Sequence, residues 1–208
     1  RWHYQLVHHG LWDMDIPCAP ILADIPVDGK IVKALIQPSK QCFLYVLNRE
    51  TGEPVWPIVE TPVPAGDVPE EWYAPTQPIP SKPPAYDIQG VTHDDLINFT
   101  PELRAEAIRL VDSQFVIGPL FTPPTMAVAG GKRGTLHTPG SNGGTDWAGG
   151  SYDPDSHMVY VYSQRTAAVL GIVKNANLDV SDFEYVQGQP GQATRVTRAL
   201  GAPAAGAA

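Results

Sequence analysis

The sequence predicts an all-β fold of short antiparallel strands on long irregular loops, and three observations carry that prediction. Runs rich in branched and aromatic residues recur at 31–37 (IVKALIQ), 43–47 (FLYVL) and 158–163 (MVYVYS). Polar turn residues flank them, and Trp56 closes one such unit as Trp2 closes another at the start of the chain. Pro (22) and Gly (19) form nearly a fifth of the 208 residues without a triplet period, which excludes collagen and fits loops on a β scaffold. A repeat of about 40–50 residues with such strands is the signature of propeller blades.

The elements follow in order. The chain begins in mid-pattern, without a polar lead-in, and reads as a piece of a longer protein. Residues 31–37 and 43–47 form a hairpin whose turn, PSKQC, carries Lys40 at its tip. Thr51-Gly52 then turns the chain into a further strand at 54–56. Residues 57–124 read as an insertion between two units. Within it, 62–84 is Pro-rich and should run extended over the surface rather than build a core. Thr92 caps a short helix at 93–98, with Asp95 in the capping-box position. Thr100 caps a second helix, with Pro101 first and Glu102 near its positive end. Leu103, Ala107, Ile108, Leu110 and Val111 give that helix an apolar face for packing. The second unit resumes at the turn Asp153-Pro154-Asp155, with a strand at 158–163 and another at 169–173 pairing beside it. The partial propeller therefore spans 1–175 and a tail spans 176–208; 195–208, made of small residues with few anchors, should fray.

Charge narrows the function. With 14 Lys+Arg against 22 Asp+Glu the net charge is −8, and no basic run exists, which excludes nucleic acid and anionic membrane surfaces as partners. No apolar run reaches the roughly 20 residues needed to cross a bilayer, so any membrane contact lies outside this segment. Cys18 and Cys42 could bridge in an oxidising compartment, but both stand beside strand-like segments and read as free, half-buried thiols. Neither has a ligand pair at zinc spacing.

The candidates for chemistry start with the block RWHYQLVHHGLWDMDIP, which holds two Trp, three His and two Asp in its first 17 residues. An aromatic wall can exclude water and tune a carboxylate for proton transfer. Asp13, between Trp12 and Met14, is a general base or a turn-forming Asp whose Trp neighbour is simply core. Asp15, before Ile16-Pro17, suits a turn cap. His8 and His9 are adjacent and so point to opposite faces, one toward a pocket and one packed outside. Lys40 is a solvated turn lysine or, opposite a bound carbonyl or quinone, a cation that stabilises developing negative charge. The loop SNGGTDWAGG lacks the Lys-Ser/Thr of a phosphate loop; its glycines let backbone approach a flat ligand or a neighbouring blade. Trp147 is that contact or ordinary core.

Four ordered stretches, WHYQLVHHGLWDMDIP, ALIQPSKQCFLYVLNRETGEPVWP, FTPP and GGTDWAGGSYDP, resemble the pyrroloquinoline quinone (PQQ)-dependent dehydrogenases, and most of all their quinoprotein glucose dehydrogenase branch. The likeness covers about residues 1–174. It implies part of an eight-bladed β-propeller with the quinone stacked on its axis beside a calcium ion, and oxidation of an alcohol or the anomeric hydroxyl of a glucose-like aldose. It assigns the catalytic base to Asp13, a contact with the quinone oxygens to Lys40, 27 residues on, and the lining of the cofactor site to Asp146 and Trp147. The family's calcium ligands belong to earlier blades. Hydride would pass to the quinone while Asp13 takes the hydroxyl proton, with calcium and Lys40 stabilising the reduced oxygens. Electrons would leave to ubiquinone or a cytochrome, on the periplasmic side, with inner-membrane association through regions outside this chain. The sequence departs from the family at Gly10, where an Asp or a similar polar residue is usual, at Cys18 and Cys42, where small residues are usual, and at Asp146, where an amide or Glu is commoner. By itself the segment should not complete a site. The competing class is a non-catalytic propeller scaffold for protein binding, which needs neither Asp13 nor Lys40; a hydrolase has no nucleophile elbow to support it.

Overall fold

In the computed structural model, residues 1–179 and 182–191 are described; the expected fraying at 195–208 lies outside them. Asp28 and Gly29, with φ of 49° and 76°, fold the chain into a tight hairpin. Strand β1 (Ile21–Val27) thereby pairs antiparallel with β2 (Lys30–Pro38), from Val27↔Lys30 to Ile21↔Ile36. β3 (Leu44–Asn48) pairs with the other edge of β2, from Pro38↔Leu44 to Ala34↔Asn48. The hairpin read from sequence is present, but β1 was not foreseen; its signal was Asp-Gly between two apolar stretches.

β3 is buried on both faces, because successive side chains alternate between them. Tyr45 enters a core of Trp12, Met14, Phe43, Leu120, Phe121 and Leu170, whereas Val46 packs with Ala23, Ala34 and Ile36. Trp12 stands edge-on to Phe121, centroids 5.4 Å apart, and donates from Nε1 to the Thr122 carbonyl at 2.8 Å. Trp2 seats on the Thr51-Gly52 turn and donates to the Arg49 carbonyl.

The strand expected at 54–56 is reduced to one bridge, Leu47↔Pro54, with Val55 donating to the Val46 carbonyl. Pro54 lacks an N–H and Pro57 follows at once, so no ladder can extend. In the Pro-rich stretch, β4 (Ile58–Pro62) and β5 (Thr76–Pro80) pair antiparallel. The segment is extended as expected but does help build the core: Gln77 and Pro78 are fully buried, and Ile58 and Ile79 pack on the Trp12 cluster.

The helix foreseen at 93–98 shrinks to one 3-10 turn, His93–Asp95, held by its capping box. Helix α1 (Pro101–Gln114) starts at the Thr100 cap with Pro101 in the first turn. Its expected apolar face is not packed as a unit, since Val111 is buried while Leu103 and Leu110 stay exposed. The strands β6 (Phe115–Val116), β7 (Thr125–Met126), β8 (Gly134–His137), β9 (Gly150–Asp153), β10 (Met158–Val161), β11 (Ala168–Lys174) and β12 (Tyr185–Gln187) complete the described chain. β9 and β10 form a hairpin, while β11 lies between β8 and β12, with β6 beyond β8 and β7 parallel to β11. The strand at 169–173 was expected to pair with 158–163 and does not. Gly140 and Gly144 bond backbone to backbone with Thr166 and Gln164, and these bonds lead the chain across to a different sheet. Among the described residues no helix is long and apolar enough to cross a membrane.

Candidate active site around Lys40

The loop between β2 and β3 is not a solvated tip. Ser39, Gln41 and Cys42 are fully buried, and the Lys40 side chain is 8% exposed. Two distant segments, 86–89 and 141–150, bury it. Tyr86 donates to the Ser39 carbonyl at 2.9 Å and pairs with Thr145; Gln89 donates to the Gln41 carbonyl; and the Gly-rich loop lies on the Lys40 stem. Gly143, at φ 74°, leaves no room for a Cβ against Lys40, and Gly144 donates to the Lys40 carbonyl at 2.9 Å. The glycines thus serve close approach to a neighbouring hairpin.

The Lys40 ammonium donates to the Asp13 carbonyl oxygen at 3.0 Å and to Asp15 Oδ1 at 2.6 Å. The Asp13 carboxylate lies 3.7 Å from Nζ, outside hydrogen-bond reach. Burial pulls the Lys40 pKa down, but the Asp15 bond and the charges of Asp13, Asp15 and Asp146 outweigh it, and the net shift is upward. Lys40 is therefore a buried, charged ammonium.

Two readings of the opening block change here. Trp12 and Met14 turn inward to the core, and the intervening Asp13, at φ 64°, turns outward with its side chain 69% exposed. Among the described residues no aromatic wall encloses it. Asp15, read as a turn cap, is instead the closest partner of Lys40. Sequence reasoning missed Asp15, Gln41, Tyr86 and Gln89 as supports of the site, because only long-range packing brings them to it.

The remaining candidates are placed as follows. His8 pairs with Glu60, and His9 pairs with Glu71 while standing edge-on to Trp72. Asp146 is half-buried and acts on Lys40 through its charge, and Trp147 presents an 81% exposed ring. Tyr162 fixes this turn, accepting from the Asp146 N–H and donating to the Trp147 carbonyl. Cys18 and Cys42 are free thiols, but both are buried rather than half-buried, Cys42 fully, because the close approach of Gly149 and Gly144 covers them. Burial pushes the Cys42 thiol up to about 11, despite the bond from Ser163. Among the described residues no three His, Cys, Asp or Glu converge on a metal position.

The family described as "PQQ: Glucose/ethanol/alcohol dehydrogenase, beta-propeller domain" matches residues 1–207. The chain is 38% identical over 159 residues to the quinoprotein glucose dehydrogenase of Escherichia coli (strain K12), covering 76% of this chain and 19% of that protein. It is 36% identical over 166 residues to a probable quinate dehydrogenase (quinone) of Xanthomonas campestris pv. juglandis, covering 79% of this chain and 20% of that protein. It is also 36% identical over 162 residues to the glycerol dehydrogenase large subunit of Gluconobacter thailandicus, covering 76% and 21%. The chain thus spans about a fifth of the length of the curated relatives it matches.

Proposed function

Because the chain belongs to the PQQ glucose/ethanol/alcohol dehydrogenase β-propeller family, we propose that it is part of a quinoprotein dehydrogenase oxidising a glucose-like aldose or an alcohol. The observation that carries this reading is the Lys40 ammonium. Among the described residues two acceptors take its protons, Asp13 O and Asp15 Oδ1, leaving one of its three N–H donors for a further acceptor. A buried cation with one free donor beside an exposed carboxylate fits a quinone oxygen at the donor and a hydroxyl at the carboxylate.

The roles follow from these positions. Asp13 accepts the substrate hydroxyl proton at its carboxylate, which the outward turn leaves open. Lys40 would hold a quinone oxygen with its remaining N–H, and its charge would oppose negative charge developing there. PQQ, when bound, supplies the two-electron acceptor for the hydride that leaves the substrate carbon. Trp147 offers a flat, open ring for stacking, and Asp146 helps keep Lys40 charged. Calcium would be held by residues of earlier blades, outside this chain. Electrons would leave to ubiquinone or a cytochrome on the periplasmic side.

The test is reconstitution of the full-length protein with PQQ, with and without calcium, followed by dye reduction with glucose, glycerol and quinate. PQQ-dependent turnover of at least one is expected. Bound PQQ, seen by its absorbance, without turnover of any of the three would overturn the reading.

A further inference from the structure

We propose that Asp15 is a positioning residue of this site: its carboxylate holds the Lys40 ammonium in a direct hydrogen bond and keeps it from closing on the carboxylate of Asp13. The inference rests on the reading of Asp13 as base and Lys40 as quinone contact, and it adds a division of labour between two nearby carboxylates.

The distances define that division. Asp15 Oδ1 is 2.6 Å from Nζ, and Asp13 Oδ2 is 3.7 Å away. Asp13 contributes to Lys40 through its main-chain carbonyl, at 3.0 Å. Its backbone is pinned between two inward side chains, Trp12 and Met14, and its φ of 64° turns the side chain outward. The residue that would react thus lends Lys40 a main-chain oxygen and, from 3.7 Å, its charge, while Asp15 makes the direct carboxylate bond.

Two costs are avoided in this way. A buried lysine without a counter-charge gives up its proton easily. A carboxylate paired directly with a cation becomes a weaker base, because the pair favours its ionised form. The charged groups facing Lys40 are Asp13, Asp15 and Asp146, and the Gly-rich loop packs its stem with Gly143. Of these, Asp15 makes the direct side-chain bond that, after burial, weighs most in keeping Lys40 charged.

The test uses the full-length protein without cofactor. Lys40 is labelled with acetic anhydride across a pH series, and its peptide is quantified by mass spectrometry. In Asp15→Asn the midpoint of labelling should fall by about one pH unit or more, and Asp15→Glu should restore most of it. In PQQ-loaded enzyme the alkaline limb of the kcat–pH profile should move down in Asp15→Asn, because Lys40 has lost its counter-charge. An unchanged labelling midpoint in folded Asp15→Asn overturns the proposal. So does a loss of folding in both Asp15→Asn and Asp15→Ser, which would make Asp15 a structural anchor. If the labelling midpoint shifts but bound PQQ never turns over, the clamp on Lys40 stands and the dehydrogenase reading falls instead.

Discussion

Replacing Asp13 by Asn removes one negative charge and leaves its surroundings nearly as they are. The side chain is exposed, so no packing is lost, and Asn tolerates the left-handed backbone at φ 64° as Asp does. The Lys40 bond to residue 13 is to its carbonyl and survives, as does the 2.6 Å bond to Asp15. Quinone binding should therefore change little. Turnover should fall by about 100- to 10,000-fold, the usual contribution of a positioned base, which corresponds to roughly 3–5 kcal/mol of barrier. Asp13→Ala separates backbone from chemistry: it should lose the same turnover and in addition about 1 kcal/mol of stability, because Ala fits the left-handed region poorly. The assay pairs dye-reduction kinetics with titration of the apoenzyme by PQQ, and a melting curve for each variant. Turnover within a few-fold of wild type in Asp13→Asn, with PQQ bound, would refute the assignment of the base.

Other consequences are open to the same methods. Gly143→Ala would combine a φ of 74° with a Cβ 2.6 Å from the Lys40 Cα. A loss of about 2 kcal/mol or more is expected from strain and overpacking, with faster labelling of Lys40; a change under about 0.5 kcal/mol would mean that the loop does not press on the hairpin. His137 is fully buried, and burial holds its imidazole below the ordinary value against the pull of the Leu120 and Pro139 carbonyls, 2.5 and 2.7 Å from its nitrogens. With the folded pKa depressed, unfolding takes up a proton, so this contribution to stability is full above the ordinary histidine pKa and is lost as pH falls through the folded value. The melting temperature should drop between about pH 8 and about pH 5, and His137→Gln should flatten that slope; an identical slope in the variant assigns the dependence elsewhere.

Much of the fold was legible locally. The hairpin around Lys40 followed from two branched, aromatic runs, and the starts of α1 and the 3-10 turn followed from Thr100 and Thr92, because caps and period-2 strands are set by near neighbours. Pairing between sheets was not legible. Whether 169–173 joined β10 or β8 depended on backbone bonds from Gly140 and Gly144, residues more than twenty positions away.

The site divides in the same way. Residue types and order alone were enough to single out Asp13, Lys40, Asp146 and Trp147, since the motifs that carry the resemblance are continuous in the chain. Which way each side chain points was beyond the sequence. A turn lysine is ordinarily solvated, and Lys40 is buried only because Tyr86, Gln89 and the 141–150 loop close over it. The aromatic neighbours of Asp13 promised an enclosed carboxylate, yet the backbone turn sends Trp12 and Met14 in and Asp13 out. Burial and charge pairing are properties of segments brought together from far along the chain, so only the tertiary structure decided that Asp15 takes the ammonium and Asp13 is left open.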